Sequence, residues 1–393
     1  MSVRAGPWLR LCGVGASAAV GLVVASGELG ITHRVLVAVA LPLFAALVLG
    51  AWFAHRAVFG VALAALVLFL AAIASWWLRP LHLALAAVAF AATVLTTARL
   101  YRGARPAPVA WRDYVSLTKP RIMSLLLLTG AAGMFVGAQG MPDPGLLAAT
   151  MVGLGLACGG ASALNHVLDR DIDRSMGRTA RRPVADGRVS PELALEFGLA
   201  LSALSFVLLA SVVNVLAACL ALVGNLFYVL VYTRWLKRST PQNIVIGGAA
   251  GAVPPLVGWA AATGNLALPA LYLFLIVFFW TPPHFWALAL LIKRDYEAAR
   301  IPMLPVVRGE RETARQILLY TVGLVALTLV PVLTGTFGPI YLAAAVLLGA
   351  RFVQLAWSLW QELTPRRAGV LFHYSLAYLA LLFVAMAIDP VIL

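Results

Sequence analysis

Long apolar runs separated by short polar segments fill almost the whole of this 393-residue chain. Each run is about 20 residues long, which is the length that an α-helix needs to cross the hydrocarbon core of a bilayer. The runs are apolar throughout and do not alternate with polar residues, so the pattern excludes an outer-membrane β-barrel. We therefore predict an all-α polytopic membrane protein.

The apolar runs fall into two groups with a polar segment between them. Four helices are predicted before residue 102, at about 9–29, 35–53, 57–77 and 82–100. A segment rich in Pro and Arg at 102–116 breaks the apolar pattern, as linkers do. Nine further spans are predicted at about 120–138, 145–168, 191–212, 214–233, 243–263, 268–291, 316–336, 338–360 and 370–391. The predicted domains are thus a membrane extension (1–101), a cytoplasmic linker (102–116) and a nine-helix domain (117–393).

The distribution of charge adds an orientation to this pattern. The chain is 62% hydrophobic and 11% charged, and its formal net charge is +14. Five predicted loops hold 22 of the 29 Lys and Arg residues, at 102–121, 168–190, 234–242, 292–315 and 361–369. Basic loops stay on the cytoplasmic side. We therefore interpret the positive charge as topological and not as a nucleic-acid surface. The prediction is a plasma-membrane protein with cytoplasmic site loops, its amino terminus inside and its carboxyl terminus outside.

The polar stretch NHVLDRDID ends the second span of the nine-helix domain. Asn165, Asp169 and Asp173 are four residues apart, so they fall near one face of a helix. Charge at the mouth of a membrane helix is costly unless something binds it. Three oxygen ligands on one stripe suit Mg²⁺ that carries a diphosphate, and nearby Arg and Lys could hold the phosphate oxygens. With apolar spans around an isoprenoid tail, these parts describe an intramembrane prenyltransferase.

The same stretch resembles the NxxxDxxxD signature of the UbiA-type prenyltransferases. More narrowly, residues 117–393 resemble the subfamily that farnesylates heme, the protoheme IX farnesyltransferases. The matching segments, in order, are LTKPRIMSLLLLT (117–129), NHVLDRDIDRSMGRTARRPVADGRVSP (165–191), YTRWLKRSTPQNIVIGGAAGAVPPLVGWAAATG (232–264), WTPPHFWALAL (280–290) and DYEAARIPMLPVVRG (295–309). The resemblance implies a nine-helix bundle. It also implies transfer of a farnesyl group from farnesyl diphosphate to a vinyl group of heme B, with addition of water.

The resemblance implies roles for individual residues as well. Asn165, Asp169 and Asp173, together with Asp295 of a second acidic segment, would hold Mg²⁺ and act in catalysis. The diphosphate would be bound by basic residues on several cytoplasmic loops, namely Lys119, Arg121, Arg178, Arg182, Lys237 and Arg238. Lys119 and Arg121 are equally suited to a heme propionate or to the membrane interface. Asp171 points to another face and is expected to pair with an arginine.

Three sequence features bear on the choice of heme as the acceptor. Lys237 follows Tyr232 by five residues, whereas many UbiA-type enzymes space this pair by four. The second acidic segment, DYEAA (295–299), keeps Asp295 and, as a weaker ligand candidate, Glu297, where UbiA-type enzymes usually carry several Asp residues. In WTPPHFW (280–286), two prolines are expected to interrupt a span, and interrupted membrane helices line cavities.

Three histidines of the nine-helix domain are candidates for binding the heme iron. His284 is the first candidate ligand of the heme iron, although a lone His in a span can instead hydrogen-bond to the backbone. His166 and His373 are weaker candidates.

Two other functions remain open, a UbiA-type enzyme acting on an aromatic or quinone precursor and an ion-coupled transporter. The expected partners are farnesyl diphosphate, heme B and the bilayer, without nucleic acid. Heme A synthase or an oxidase assembly protein is a candidate partner for the extension.

Overall fold

The computed structural model describes residues 109–392 and, before them, only positions 16, 37, 40, 44, 48, 62, 63, 65–70, 89, 90, 92 and 93. These earlier positions are all helical, and the rings of Phe44 and Phe69 stack with centroids 5.1 Å apart. The bounds of the four predicted amino-terminal helices, and the linker before residue 109, lie outside the described residues. The predicted division into domains therefore stays a prediction.

Nine long helices follow a short helix, α1 (Trp111–Thr118). They are α2 (Pro120–Ala138), α3 (Pro144–Leu168), α5 (Pro191–Val213), α6 (Val215–Ser239), α7 (Asn243–Thr263), α8 (Leu268–Leu291), α11 (Glu310–Leu333), α12 (Pro339–Gln361) and α13 (Pro365–Ile392). Short helices lie between them, α4 (Arg170–Ser175), α9 (Lys293–Ala298) and α10 (Leu304–Val307). Each of the nine is long and apolar enough to cross a membrane, so within residues 109–392 the predicted multi-pass, all-α architecture is confirmed.

Three spans extend beyond the predicted limits at their basic ends. The span predicted at 214–233 continues to Ser239, the span at 316–336 begins at Glu310, and the span at 370–391 begins at Pro365. Hydropathy marks the part of a helix that lies in hydrocarbon, whereas hydrogen bonding continues through the charged residues beyond it. The end of α6 is the important case, because it carries Lys237 into the candidate site.

The predicted interruption at Pro282 and Pro283 is wrong, because α8 is one continuous helix through both residues. Each proline removes a hydrogen bond within the helix. Helices α7, α11 and α13 pack around α8, and the Thr281 hydroxyl donates to the Val277 carbonyl oxygen at 2.8 Å. Surrounding helices and Thr side chains of this kind allow prolines inside membrane helices.

Close helix contacts occur where glycines face each other. A Cβ on Gly258 of α7 would overlap the carbonyl oxygen of Gly130 in α2. A Cβ on Gly160 of α3 would lie 2.8 Å from the carbonyl oxygen of Gly198 in α5. Small residues permit this approach in membranes. Helix α2 also contacts α13, so the first and last spans of the bundle meet.

The end of the bundle away from the basic loops contains a cap contributed by another helix. Helix α12 has no side-chain cap from its own residue Gly338. Asp389, in the last turn of α13, accepts hydrogen bonds from the backbone N–H groups of Gly338 at 2.5 Å and Tyr341 at 3.1 Å. A carboxylate at a helix amino terminus satisfies free donors and is favoured by the helix dipole. Asp389 therefore joins the last two spans.

Candidate functional site

The three predicted ligands lie where α3 passes into α4. Asp169 ends α3 with φ −93° and ψ 5°. The backbone N–H of Asp169 still donates to the backbone carbonyl oxygen of Asn165 at 2.9 Å. The backbone N–H of Asp173 donates to the backbone carbonyl oxygen of Asp169 at 2.8 Å. Helical spacing therefore continues across the junction. All three residues are buried, with at most 3% of their surface exposed.

Two basic side chains form ion pairs with the buried carboxylates. Lys237 Nζ donates to Asp169 Oδ2 at 2.5 Å. Arg182 Nη1 lies 2.8 Å from both carboxylate oxygens of Asp173. Lys237 comes from the end of α6 and Arg182 from the loop after α4, so two separate parts of the chain meet at the ligands. The structure thus brings these two predicted diphosphate-binding residues into the site.

Asn165, Asp169 and Asp173 and the basic side chains that contact them form a buried cluster. Lys119 reaches this cluster from the junction of α1 and α2. Its Nζ donates to Asn165 Oδ1 at 2.8 Å. Its backbone is left-handed, with φ 51° and ψ 60°, an unfavourable conformation for a residue other than glycine. Burial, reinforced by the positive charges of Arg182 and Lys237, lowers the pKa of Lys119 to about 7. A strained backbone at this position holds the Lys119 side chain against Asn165.

A π-helical segment, Phe227–Leu236, sets the position of Lys237. The Lys237 N–H donates to the carbonyl oxygen of Tyr232, five residues earlier. A π-helix places residues five apart one turn apart, as an α-helix does for residues four apart. The five-residue spacing noted in the sequence is therefore accommodated by the backbone. Thr233, in the same segment, accepts a hydrogen bond from Asn165 Nδ2 at 3.1 Å, a contact that no spacing predicts.

The arginine loop, residues 176–190, is tied to α1. Arg188 is bonded to Asp113 of α1, to Asp186 at 2.8 Å and to the carbonyl oxygen of Arg181 at 2.8 Å. These contacts of Arg188 were not predicted from the sequence, since the residues involved share no sequence pattern. Arg178, the other predicted phosphate-binding residue of the loop, is exposed.

Arg238 lies at the edge of the cluster. Its guanidinium binds both oxygens of Asp171 at 2.7 Å and the Leu168 carbonyl oxygen at 2.7 Å. The expected pairing of Asp171 with an arginine is confirmed, and the hydrogen bonds from Arg238 lower the pKa of Asp171 to about 2. Arg238 Nη2 is 3.9 Å from Asp169 Oδ1. Arg121 is exposed in the first turn of α2. Diphosphate binding by Arg238 and Arg121 stays a prediction.

The second acidic segment forms α9, beside the arginine loop. Asp295 is half-buried, and none of the ion pairs among the described residues includes it. Glu297 pairs with Lys293 at 3.7 Å on the exposed side. Burial raises the pKa of Tyr296, and the charges of Arg178 and Arg182 oppose this shift, which shows that the loop and α9 are neighbours.

A cavity of about 250 Å³ separates α4 from the segment after α9. Its lining consists of Asp171, Ile172, Ser175, Arg238, Ala298, Ala299, Arg300 and Ile301. The two acidic segments therefore face each other across a partly polar space. Asp295 is near this space, but the structure shows no contact that assigns it a ligand role, so that role stays a prediction.

The donor set of the cluster fits Mg²⁺. An amide oxygen and two carboxylates are the hard ligands that this ion prefers. Asp169 Oδ1 is buried without a hydrogen-bond partner, so one ligand oxygen has a lone pair available. Among the described residues no three His, Cys, Asp or Glu side chains form a metal cluster by themselves. Asn165, Asp169 and Asp173 are therefore the residues that would hold the ion.

His284 is fixed in α8 by an aromatic sandwich and one hydrogen bond. Its ring stacks on Trp280 and Phe372, with centroids 4.4 and 4.8 Å away. The Ser375 hydroxyl donates to the Phe372 carbonyl oxygen at 2.7 Å, so it can only accept from His284 Nδ1, also at 2.7 Å. The proton therefore resides on Nδ1, and Nε2 carries the lone pair that a metal ligand needs. Sequence spacing predicts neither Ser375 nor the sandwich.

The other two candidate histidines differ from His284. His373 is exposed on α13 and bonds to the carbonyl oxygen of Gly369 in its own helix at 2.8 Å. His166 is buried next to Asn165, and neither of its ring nitrogens has a hydrogen-bond partner. Of these three described histidines, only His284 combines burial with a fixed tautomer.

An apolar cavity of about 390 Å³ lies between α2 and α13. It is lined by Leu128, Ala131, Ala132, Phe135, Phe383, Val384, Ala387, Ile388, Val391 and Ile392. Leu128 is nine residues along α2 from Lys119, or about 14 Å at the rise of an α-helix. An apolar chain whose charged end is at the cluster could extend toward this cavity.

Comparison with known proteins adds a family to this geometry. The model of the UbiA prenyltransferase family matches residues 126–384. Proteins named protoheme IX farnesyltransferase are similar to much of the chain. The one from Symbiobacterium thermophilum is 56% identical over 71% of this chain and 94% of that protein. The one from Azotobacter vinelandii is 51% identical over 76% and 97%. The one from Roseiflexus sp. is 50% identical over 80% and 63%, so the chain spans less than two thirds of that relative.

Solved structures show the same fold. A digeranylgeranylglyceryl phosphate synthase has a TM-score of 0.61 and 19% identity, over 72% of this chain and 99% of that chain. A UbiA homolog from Archaeoglobus fulgidus, solved with GPP and Mg²⁺ bound, has a TM-score of 0.53 and 16% identity, over 70% and 99%. At these identities the similarity concerns the arrangement of the helices.

Proposed function

The chain belongs to the UbiA prenyltransferase family, and we propose that it transfers a farnesyl group from farnesyl diphosphate to a vinyl group of heme B. Addition of water completes the reaction, and the products are heme O and diphosphate. The observation that carries the proposal is the buried cluster in which Asn165, Asp169 and Asp173 contact basic side chains at the end of an apolar bundle. The curated relatives with this name supply the choice of acceptor.

The chemistry at the cluster is the departure of diphosphate. Mg²⁺ held by Asn165, Asp169 and Asp173 would neutralise the diphosphate and make it a better leaving group. Lys237 and Arg182 are placed to bind the phosphate oxygens, where negative charge accumulates as the allylic C–O bond breaks. Arg178 and Asp295 are proposed to complete the site from the arginine loop and α9.

The bonds that break and form in this reaction balance with farnesyl diphosphate, heme B and water as the reactants. The electron pair of the C–O bond leaves with diphosphate, and the π electrons of the vinyl group form the new C–C bond. Water then adds its oxygen to the cation beside the porphyrin and releases one proton. The apolar helices keep other water away from the farnesyl cation. The cavity between α2 and α13 is proposed to receive the farnesyl chain.

We place the heme iron at His284, because its Nε2 carries a lone pair and the ring orientation is fixed by Trp280, Phe372 and Ser375. Heme B titrated into the purified protein should give a Soret shift that is lost in His284→Ala. The matched control is His373→Ala, which removes an exposed histidine and should leave the shift unchanged. An unchanged spectrum in His284→Ala would reject this ligand.

The proposal also includes the orientation of the protein in the membrane and the membrane in which it lies. The basic residues of the site, at the junction of α1 and α2, on the loop after α4 and at the end of α6, would face the cytoplasm by the positive-inside rule. We therefore propose a plasma-membrane enzyme that takes both substrates from the cytoplasmic side. The carboxyl terminus, at the other end of α13, would then lie outside.

The deciding experiment is a product assay. Membranes containing the protein are incubated with heme B, farnesyl diphosphate and Mg²⁺, and the heme products are measured by mass spectrometry. We expect heme O and an equal amount of diphosphate, and we expect both to disappear in excess chelator. In a parallel reaction with an aromatic acid added in place of heme B, formation of the prenylated acid, together with unchanged heme B in the first reaction, would instead support the quinone-precursor function. Product formation at full rate in chelator would reject the magnesium cluster.

A further inference from the structure

Each proposed ligand carboxylate is bound by a basic side chain that the reaction also needs. Lys237 Nζ is 2.5 Å from Asp169 Oδ2, and Arg182 Nη1 is 2.8 Å from both oxygens of Asp173. We propose that Lys237 and Arg182 exchange partners, from these carboxylates to the diphosphate, and that this exchange makes metal and diphosphate bind cooperatively. The inference rests on the proposed function and names the residues that couple its two ligands.

The exchange follows from competition for the same oxygens. Of the four carboxylate oxygens of Asp169 and Asp173, three accept a hydrogen bond from a cation or an amide, and Asp169 Oδ1 has none. A divalent ion that takes more than this one oxygen must displace Lys237 or Arg182. A displaced ammonium or guanidinium group would then lie unpaired beside the ion, and like charges at short distance in a buried site repel strongly.

Diphosphate removes this obstacle because it gives the displaced cations new anionic partners. Lys237 is 14% and Arg182 22% exposed, so each lies at the rim of the cluster and has a long flexible stem. Lys119 is bound differently: it donates to the neutral amide oxygen of Asn165, which is also a proposed metal ligand, so the ion would displace it without breaking an ion pair. The proposed exchange therefore concerns the two cations that are paired with carboxylates, Lys237 and Arg182.

Thermodynamic linkage makes the coupling reciprocal, so metal tightens diphosphate binding by the same factor as diphosphate tightens metal binding. For wild type we expect a factor of about 10 to 100, within the usual range of coupling between sites. Removing one of the competing cations has opposite effects on the two ligands. Metal alone binds more tightly because a carboxylate is released, whereas diphosphate binds more weakly because it has lost a partner.

The test uses Mn²⁺ as the metal and the thiolo analogue of farnesyl diphosphate, in which the reactive oxygen is replaced by sulfur. The full chain is purified in nanodiscs, and free Mn²⁺ is measured by electron paramagnetic resonance with and without the analogue. Complexes between the analogue and Mn²⁺ in solution are the same for every protein, so differences between variants report on the site. The readout is binding and does not depend on turnover.

The variants are Lys237→Met and Arg182→Met, with Lys293→Met as the matched control. Lys293 pairs with Glu310 and Glu297 on the exposed side, so its replacement removes the same charge without touching a ligand. We expect Lys237→Met to bind Mn²⁺ alone about tenfold more tightly and to lose most of the coupling. Arg182→Met should act in the same direction, and Lys293→Met should behave as wild type.

Two results would overturn the exchange: no coupling in wild type, or Mn²⁺ binding by both test variants that is no tighter than in wild type. If Lys237→Met does not fold, Arg182→Met alone decides between these outcomes. The proposed function fails separately. Coupling without heme O would reject the acceptor and keep the exchange, whereas heme O formation without coupling would reject the exchange and keep the function.

Discussion

The surroundings of each acidic residue in this region determine which of its carboxylate oxygens are available to bind a ligand. Asp169 and Asp171 are both aspartates of one motif. Asp169 is 0% exposed and keeps an oxygen without a hydrogen-bond partner, whereas Asp171 uses both oxygens on Arg238 at the protein surface. The surroundings thus leave Asp169 suited to the proposed ligand role, whereas Asp171 forms an ion pair with Arg238.

The first prediction compares these two aspartates. Asp169→Asn should lower kcat by about 100-fold or more, the loss expected when a group that stabilises developing charge is removed. Asp171→Asn should retain most activity, because its exposed pair contributes little energy. Heme O formation is measured at saturating substrates for both variants. Similar activities in the two variants would contradict the assignment of Asp169.

The second prediction concerns the hydroxyl that orients His284. Ser375→Ala removes the acceptor of the Nδ1 proton, so the imidazole can carry its proton on either nitrogen. Loss of such an outer partner typically weakens metal affinity by about 10- to 100-fold. Heme B affinity is measured from the Soret titration. Ser211→Ala is the control, since its hydroxyl bonds only to the Val207 oxygen within the same helix, and it should bind heme normally.

At this scale the sequence predicted the clustering of the three proposed ligands better than their hydrogen-bond partners. Four-residue spacing placed Asn165, Asp169 and Asp173 together, and the different face of Asp171 predicted its arginine. Thr233 and Ser375 were missed, because each contacts a residue that is distant in the chain. Contacts of this kind depend on how helices pack, and hydropathy carries no information about which hydroxyl faces which neighbour.

At the scale of helices, the π-helical segment in α6 sets the position of Lys237, a proposed diphosphate-binding residue. Tyr232 and Lys237 lie five residues apart and are joined by one backbone hydrogen bond. A regular α-helix over the same stretch would rotate Lys237 away by about 100°, the rotation per residue. The sequence showed the unusual spacing, but the backbone that accommodates it could not be predicted from hydropathy.

The third prediction is a pair of deletions in α6. Deleting Trp235, which is 64% exposed, shortens the spacing between Tyr232 and Lys237 from five residues to four and allows an α-helical turn to keep Lys237 near Asp169. Deleting Val223, which is 60% exposed, shifts Asn225 away from the Ala157 and Ser202 oxygens to which it donates. We expect measurable heme O formation and a melting temperature near wild type only for the Trp235 deletion. Equal damage would contradict the role of the π-helix.

The fourth prediction concerns the cap that joins α12 and α13. Asp389→Ala leaves the N–H groups of Gly338 and Tyr341 without acceptors, and loss of a helix cap costs about 0.5–2 kcal/mol. Asp389→Asn keeps one oxygen and should lose less. The free energy of unfolding is measured in detergent with a chemical denaturant. Unaltered stability in Asp389→Ala would show that another group supplies the acceptor.

At the scale of the whole molecule, the site residues and the family match occupy one continuous part of the chain. Every residue of the cluster lies between Lys119 and Lys237, and the family model matches residues 126–384. Nine spans in residues 109–392 were predictable because hydrocarbon imposes one length on every helix. The continuity of α8 across two prolines was not, because it depends on the helices that surround it.

The fifth prediction is that the nine-helix domain works without the amino-terminal extension. A protein lacking residues 1–101 should form heme O at a rate within about twofold of wild type, because the side chains that contact Asn165, Asp169 and Asp173 are contributed by Lys119, Arg182, Thr233 and Lys237. Activity is measured per amount of folded protein in membranes, with the full chain as control. Loss of activity in folded protein would mean that the extension contributes to substrate delivery or to catalysis.

The ion pair between Lys237 and Asp169 also sets a limit on heat resistance. Buried ion pairs often stabilise a protein less than apolar side chains of the same volume, whereas loss of one partner leaves a costly lone charge. We therefore expect a chain with both residues replaced by well-packed hydrophobic ones to withstand higher temperature and to lose the proposed binding of metal and diphosphate. The proposed site would thus make the bundle less stable than an apolar replacement of the same volume.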